Sequence, residues 1–477
     1  MARRPVWLYA LILVLLLLAG TLVFSAAGPM KEPAVAGAFY PADKDKLAGL
    51  VSGYLSHAET PAQDGRLIAL IAPHAGYEYS GQVAAYAYKH LAERTVDTVI
   101  ILAPSHYAAF TGVSVYAKGS IRTPLGSIKI NEKLAASLLN KEANVTFYPP
   151  AFEKEHALEV QLPFLQTALK DLTIVPIVIG QPTRASFEHL TGKLVAMLRK
   201  NRNAIIIAST DLSHYHDDRT ARSMDTKALD AITRMSVEDL EQALSNKDCE
   251  LCGAYPVLFT MAVARQLGAT HGVLYRYANS GDVTNDRTSV VGYAALGLYQ
   301  GSLTGSERSE LLTLARTTIE SYVKTGKPAE HTTRSPRLLA NGAVFVTINR
   351  NHLLRGCIGN IQPVMPLYRA VISNAVSACS RDPRFPPLRK DELSDMEIEV
   401  TVLSPFEPLV DAKDITIGRH GLYLVQGMNS GILLPQVAAE YQWNALTFLQ
   451  QVSVKAGLPA DAWKHGQIYT FTADVIR

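Results

Sequence analysis

Four short, unbroken apolar runs, each leading into a polar or histidine-bearing loop, constrain this chain more than any other feature. Residues 67–72 (LIALIA) run into Pro73-His74-Ala75-Gly76, and residues 98–103 (TVIILA) run into Pro104-Ser105-His106. Residues 172–180 form a third run, and residues 204–209 (AIIIAS) end at Thr210-Asp211-Leu212-Ser213-His214. A strand with one wet face alternates apolar and polar residues. An unbroken apolar strand is covered on both faces, and strands of this kind separated by helical segments assemble into a mostly parallel sheet flanked by helices. The expectation is an α/β fold over residues 31–301. Open sheets of that type hold their ligands beyond the C-terminal strand ends, where these histidines and Asp211 gather.

The remainder of the chain is too long for the same core. With 477 residues, 48% hydrophobic and 19% charged, it has material for two or three domains and is not composed like a disordered protein. After a small, polar stretch (GSLTGSERSE, 301–310), read as a linker over 302–310, Leu311, Leu314, Ala315, Ile319, Tyr322 and Val323 recur at helical spacing. Residues 342–348 (GAVFVTI) and 398–403 (IEVTVL) read as strands, giving a separate α+β domain over 304–477. The net charge of +3, without a Lys/Arg-dense stripe carrying aromatics, argues against a nucleic-acid partner.

Residues 1–28 have a different character. Arg3 and Arg4 precede an uncharged apolar run at 6–24, close to the ~20 residues that span a bilayer. Ser25-Ala26-Ala27 resembles a signal-peptide cleavage site. The segment is expected to be either a signal peptide or a membrane anchor through residues 6–24. The positive-inside rule then places both domains on the extracytoplasmic side, membrane-anchored or exported.

Among the strand-end residues, His74, His106 and Cys252 have the chemistry of a metal site. Two imidazoles and a thiolate leave an open position on the ion, as catalytic sites do. His156 and Glu159, in EHALEVQLPF, are three apart on one helical face, and Asp211 and His214 follow the fourth run. These four suit acid/base work or the support of ligating histidines. Each histidine taken alone also fits a satisfied structural residue. Cys249 lies three positions before Cys252, so the pair could close a disulfide and remove the thiolate, or Cys249 could simply be buried.

Together EPAVAGAFYP, APHAGYEYSG, APSH, EHALEVQLPF, STDLSHY and the Cys252-Gly253 segment resemble the Memo family over residues 31–301. The resemblance implies the fold of class III extradiol dioxygenases, with His74, His106 and Cys252 matching the family's metal ligands. It further implies iron or copper as the ion, and Asp211 and His214 as residues lining the pocket. Zinc is chemically compatible with two histidines and a cysteine. The dioxygenases use a carboxylate where this chain has Cys252. A thiolate is softer and favours copper(I) or zinc, so ring cleavage does not transfer.

In the second domain, LRGCIG (354–359), DPRFPP (382–387), TVLSP (401–405), HGL (420–422) and GILLPQV (431–437) resemble an AMMECR-type domain. The tandem implies the AmmeMemoRadiSam system, with a radical-SAM partner. That partner's oxygen-sensitive cluster would lie across the membrane from an exported Memo-like domain. Cys357 is open to two readings: a nucleophile activated by Arg355, or a buried cysteine in a tight turn. No histidine is firmly assignable as its base, since His352 is local and His420 is distant in sequence. The expected function is a metal-dependent, redox or oxygenase-like protein acting on an unknown small molecule. The alternative is a non-catalytic metal- or peptide-binding scaffold.

Overall fold

The computed structural model describes residues 29–60, 65–92, 94–409 and 411–477. The expected signal peptide or anchor at 1–28 lies outside the described residues. Among those described, no helix is long and apolar enough to cross a membrane. The transmembrane, membrane-anchored reading is therefore corrected, and the extracytoplasmic placement that depended on it falls with it.

The four apolar runs are strands: β1 (Arg66–Ala72), β2 (Thr98–Pro104), β3 (Thr173–Ile179) and β4 (Ala204–Ser209). They lie in the order β3-β2-β4-β1, all parallel. Two long strands, β5 (His271–Asn279) and β6 (Val290–Gln300), extend the sheet, with β6 antiparallel to both β1 and β5. Ile100, Ile101, Leu102, Ile206 and Ile207 are fully buried. Each such side chain contributes roughly 1.5–3 kcal/mol on leaving water, so an unbroken apolar run is what this central position demands. Helices Tyr77–Lys89 and Ala254–Gln266 pack against the sheet.

Beyond Gly301 the chain builds two four-stranded antiparallel sheets. The first is ordered Leu353–Asn360, Ala343–Arg350, Met396–Leu403 and Ala473–Ile476, and is covered by helices Gly305–Thr325 and Leu367–Ser380. The second centres on Gly421–Gln426 and has its own small core around Phe448, Leu449 and Val452. This is the α+β arrangement expected. The stretch read as a linker differs, because helix Gly305–Thr325 begins inside it. Thr304 Oγ1 accepts from the Glu307 N–H (3.2 Å), and Glu307 Oε2 accepts from the Thr304 N–H (2.8 Å). That reciprocal cap was readable in the TGSE spacing.

Candidate metal centre

Parallel strands bring their C-terminal ends to one edge. Ala72 pairs with Ser209 in the β1–β4 register, so two residues further on His74 meets Asp211, and the His74 N–H donates to Asp211 Oδ1 at 2.7 Å. His106 follows β2 on the same edge, its N–H bonded to Glu155 Oε2 at 2.7 Å. Cys252 is brought in by helix Ala254–Gln266. At Gly253 an added Cβ would lie 2.2 Å from the Ser209 carbonyl oxygen, so only glycine lets the chain pass this close to the end of β4. The Asp211 N–H then donates to Cys252 Sγ at 3.1 Å.

The hydrogen bonds fix the imidazole tautomers. Ser209 Oγ donates to the Ala157 carbonyl (2.7 Å) and accepts from Gln161 Nε2 (2.8 Å). Its remaining capacity is as an acceptor, so His74 Nδ1, 2.8 Å away, carries the proton. His74 Nε2 therefore keeps its lone pair, and Cys252 Sγ lies 3.0 Å from it. His106 Nδ1 is held by Glu155 Oε1 at 2.9 Å, which leaves its Nε2 open in the same way. A ligating histidine is set up by such a bond on its other nitrogen. His156 stacks on His106 (ring centroids 4.6 Å apart) and stands edge-on to His74 (5.4 Å). Its Nδ1 is buried without a hydrogen-bond partner.

Two donor sets meet the spacing of a metal site, each with its atoms within 4.8 Å of one another: His74, His106 and His156, and His74, Asp211 and Cys252. His74 belongs to both. The three expected ligands thus do not close into one compact set, since neither set holds both His106 and Cys252. Asp211 and His156, expected in supporting roles, stand among the possible ligands.

Burial dominates the electrostatics. It pushes His74 well below the ordinary imidazole range, aided by the neighbouring His106, His156 and His214 rings, and it lowers His156 to about 4. Both are neutral, with lone pairs available, at neutral pH. Burial raises Asp211 to about 6 against several hydrogen bonds, and pushes the Cys252 thiol up with help from the Asp211 charge. Glu155 goes the other way: burial raises it, but bonds from His106 and Ala157 outweigh that and hold it below the usual carboxylate range.

Glu159 is a correction. Fully buried, it accepts from the Ala34 and Val35 N–H groups (2.7 and 3.0 Å), Tyr40 Oη (2.7 Å) and Lys31 Nζ (3.0 Å). Four donors fill a carboxylate, so it clamps residues 31–40 to the domain and has no lone pair left for proton transfer. His214 is half-buried outside both donor sets, its Nδ1 2.8 Å from the Leu212 carbonyl. Cys249 and Cys252 are separate thiols, with Cys249 buried and raised to about 11 by that burial. Glu155 and Ser209 were missed by sequence reading. Their signal was position, one beside His156 and the other the last residue of a buried strand.

In the second domain Arg355 does not serve Cys357. Its guanidinium bonds Glu392 (2.9 and 3.0 Å) and the Pro386 carbonyl (2.9 Å). The Cys357 N–H donates to Asp382 Oδ2 at 2.8 Å, and Thr347 Oγ1 donates to Cys357 Sγ at 3.3 Å. His352 pairs with Glu397, and His420 Nδ1 accepts from the Thr416 N–H, so neither is a base for Cys357.

The first domain is thus defined as a parallel α/β domain with a buried His/Asp/Cys cluster of metal-ligand type at its strand ends. The chain belongs to the Memo family: the family model described as Memo-like protein matches residues 31–297. The AMMECR1 model matches residues 312–476. A MEMO1 family protein of Methanopyrus kandleri is 36% identical over 281 residues, covering 57% of this chain and 99% of that protein. One from Methanothermobacter thermautotrophicus is 38% identical over 277 residues, covering 56% and 99%. A crystal structure of an uncharacterised protein from Pyrococcus horikoshii is 41% identical and covers 35% of this chain and 88% of that one, at a TM-score of 0.33.

Proposed function

We propose that the N-terminal domain is a metal-dependent redox protein, oxygenase-like in character, acting on a small organic molecule at the strand-end cluster. One observation carries the reading. Ser209 and Glu155 hold the Nδ1 atoms of His74 and His106, leaving two Nε2 lone pairs in a cluster with His156, the Asp211 carboxylate and Cys252 Sγ. Such a donor set fits iron or copper, and zinc by softness. A bound ion would supply Lewis acidity there and, for iron or copper, one-electron exchange. The chain's own residues orient the donors and handle protons. Cys252 donates its S–H to His74 Nε2 until it ligates, and Asp211, at about 6, exchanges a proton near neutral pH. Because thiol and carboxyl must be deprotonated to ligate, uptake strengthens as pH rises.

Metal content of the full chain, measured by mass spectrometry, tests the premise. His74→Ala and Cys252→Ala should each lose most of the ion, and unchanged content in both variants removes the site. A second reading, a non-catalytic metal- or peptide-binding module, is favoured by exposed Tyr107 and Tyr215, which neighbour His106 and His214. Oxygen uptake with a panel of catechols separates the two. No uptake at any metal loading selects the binding module.

A further inference from the structure

A cavity of about 460 Å³ lies between the two domains, far from the strand-end cluster in the fold. Met235, Ala269, Val364, Leu403 and Phe406 give it an apolar wall, and Arg337 contributes the one charge on that wall left without an ion pair among the described residues. The other charged wall residues are neutralised: Arg265 grips Glu238 at 2.8 Å, and Asp239 meets Arg234 at 3.2 Å. Arg337 is only 7% exposed, and its Nε has no hydrogen-bond partner. The acids whose charge it feels are occupied. Glu307 Oε2 accepts from Thr304 and Oε1 from Ser335, while Asp474 pairs with Arg308 at 2.9 Å.

An arginine stays charged in a protein, and a buried charge without a partner is costly enough that native structures pair it. The missing partner is therefore an anion. Glu307 is hydrogen-bonded only by neutral groups and keeps its charge near Arg337, so what the guanidinium lacks is a contact partner; a monoanion would add one negative charge there and a phosphate dianion two. The apolar wall asks for an apolar body, and the volume lies within the range of small-molecule sites. We propose that this interdomain cavity binds a small organic carboxylate, its carboxylate on Arg337 and its apolar body against Val364, Leu403 and Phe406.

Calorimetric titration of the full chain with hexanoate, hexanamide and inorganic phosphate tests this. Hexanoate should bind saturably and about tenfold or more tighter than either control, since the amide lacks the charge and phosphate the body. Arg337→Met should reduce hexanoate to the level of hexanamide. Val364→Trp supplies a check that does not touch the buried arginine. Val364 is 68% exposed at the rim, so the indole should block the cavity and abolish binding while the unfolding curve stays unchanged. The proposal is overturned by any of three results: no saturable heat with hexanoate up to about 10 mM, equal binding by phosphate, or full binding by Arg337→Met.

Discussion

Cys252 in the first domain and Cys357 in the second each lie beside a buried aspartate, Asp211 and Asp382, yet the two carboxyls are pushed in opposite directions. Burial raises Asp211 to about 6, with no arginine or lysine bonded to it. Hydrogen bonds from Arg384 hold Asp382 well below the usual range, with the Cys357 N–H adding to them. The second site is finished: Asp382 with Arg384 and Glu392 with Arg355 satisfy one another within the protein. The first differs: neutral His74 and His156 imidazoles, an acid with no arginine or lysine partner and a thiol lie together, in donor sets spaced as a metal site would be. Motif density is similar in the two places. What separates chemistry from architecture is which polar atoms are left without a partner.

The sharpest way to break that contrast is Arg355→Met. Arg355 and Glu392 are 14% and 7% exposed, and removing one member of such a pair costs about 3 kcal/mol. Trp443 and Trp463 are the described tryptophans, so their fluorescence during denaturation should report this loss in the second domain alone. An unchanged midpoint would mean that the pair is not structural. Next in size is Glu159→Gln. An amide nitrogen cannot accept, so part of the clamp on residues 31–40 is lost at about 2 kcal/mol. Hydrogen exchange at Ala34 and Val35 should quicken while metal content stays unchanged; a fall in metal would return Glu159 to the functional site.

Ser209→Ala sharpens the comparison from the other side. It removes the acceptor that fixes His74, so metal affinity should drop by about 10- to 100-fold, with the tryptophan signal unmoved. Equal affinity in a competition titration would show that the tautomer lock is irrelevant. The most gradual effect is that of acid. Glu392 falls from 4.5 in the unfolded chain to about 2 in the folded one. Its contribution is complete above about 4.5 and is lost as pH falls towards 2. Asp382 acts in the same sense. A second domain whose stability stays flat across that window would contradict the ion-pair account.

Much of the first domain was legible because buried parallel strands leave a strong local signature, and the strand ends carried His74, His106 and Asp211 with them. The division of labour within the cluster was not. Asp211 joins Cys252 only because Gly253 lets the chain pass against the Ser209 carbonyl, a contact between positions 44 apart in sequence. His156 looked like a partner of Glu159, yet its ring turns to His74 and His106 while Glu159 reaches for residues 31–40. In the second domain Arg355 sits two positions from Cys357, but its partner Glu392 lies 37 residues away. Spacing along a chain reports faces and ends; it does not report which of several acids a guanidinium selects.

The Glu159 clamp also dictates a schedule. Its bonds to Lys31, Ala34, Val35 and Tyr40 close loops of 128, 125, 124 and 119 residues. Contacts that distant form late, because the intervening chain must first be compacted. During synthesis, residues 31–40 emerge long before Glu159 exists to receive them. They are among the first made, yet Glu159 cannot hold even Tyr40 until 119 further residues have been added.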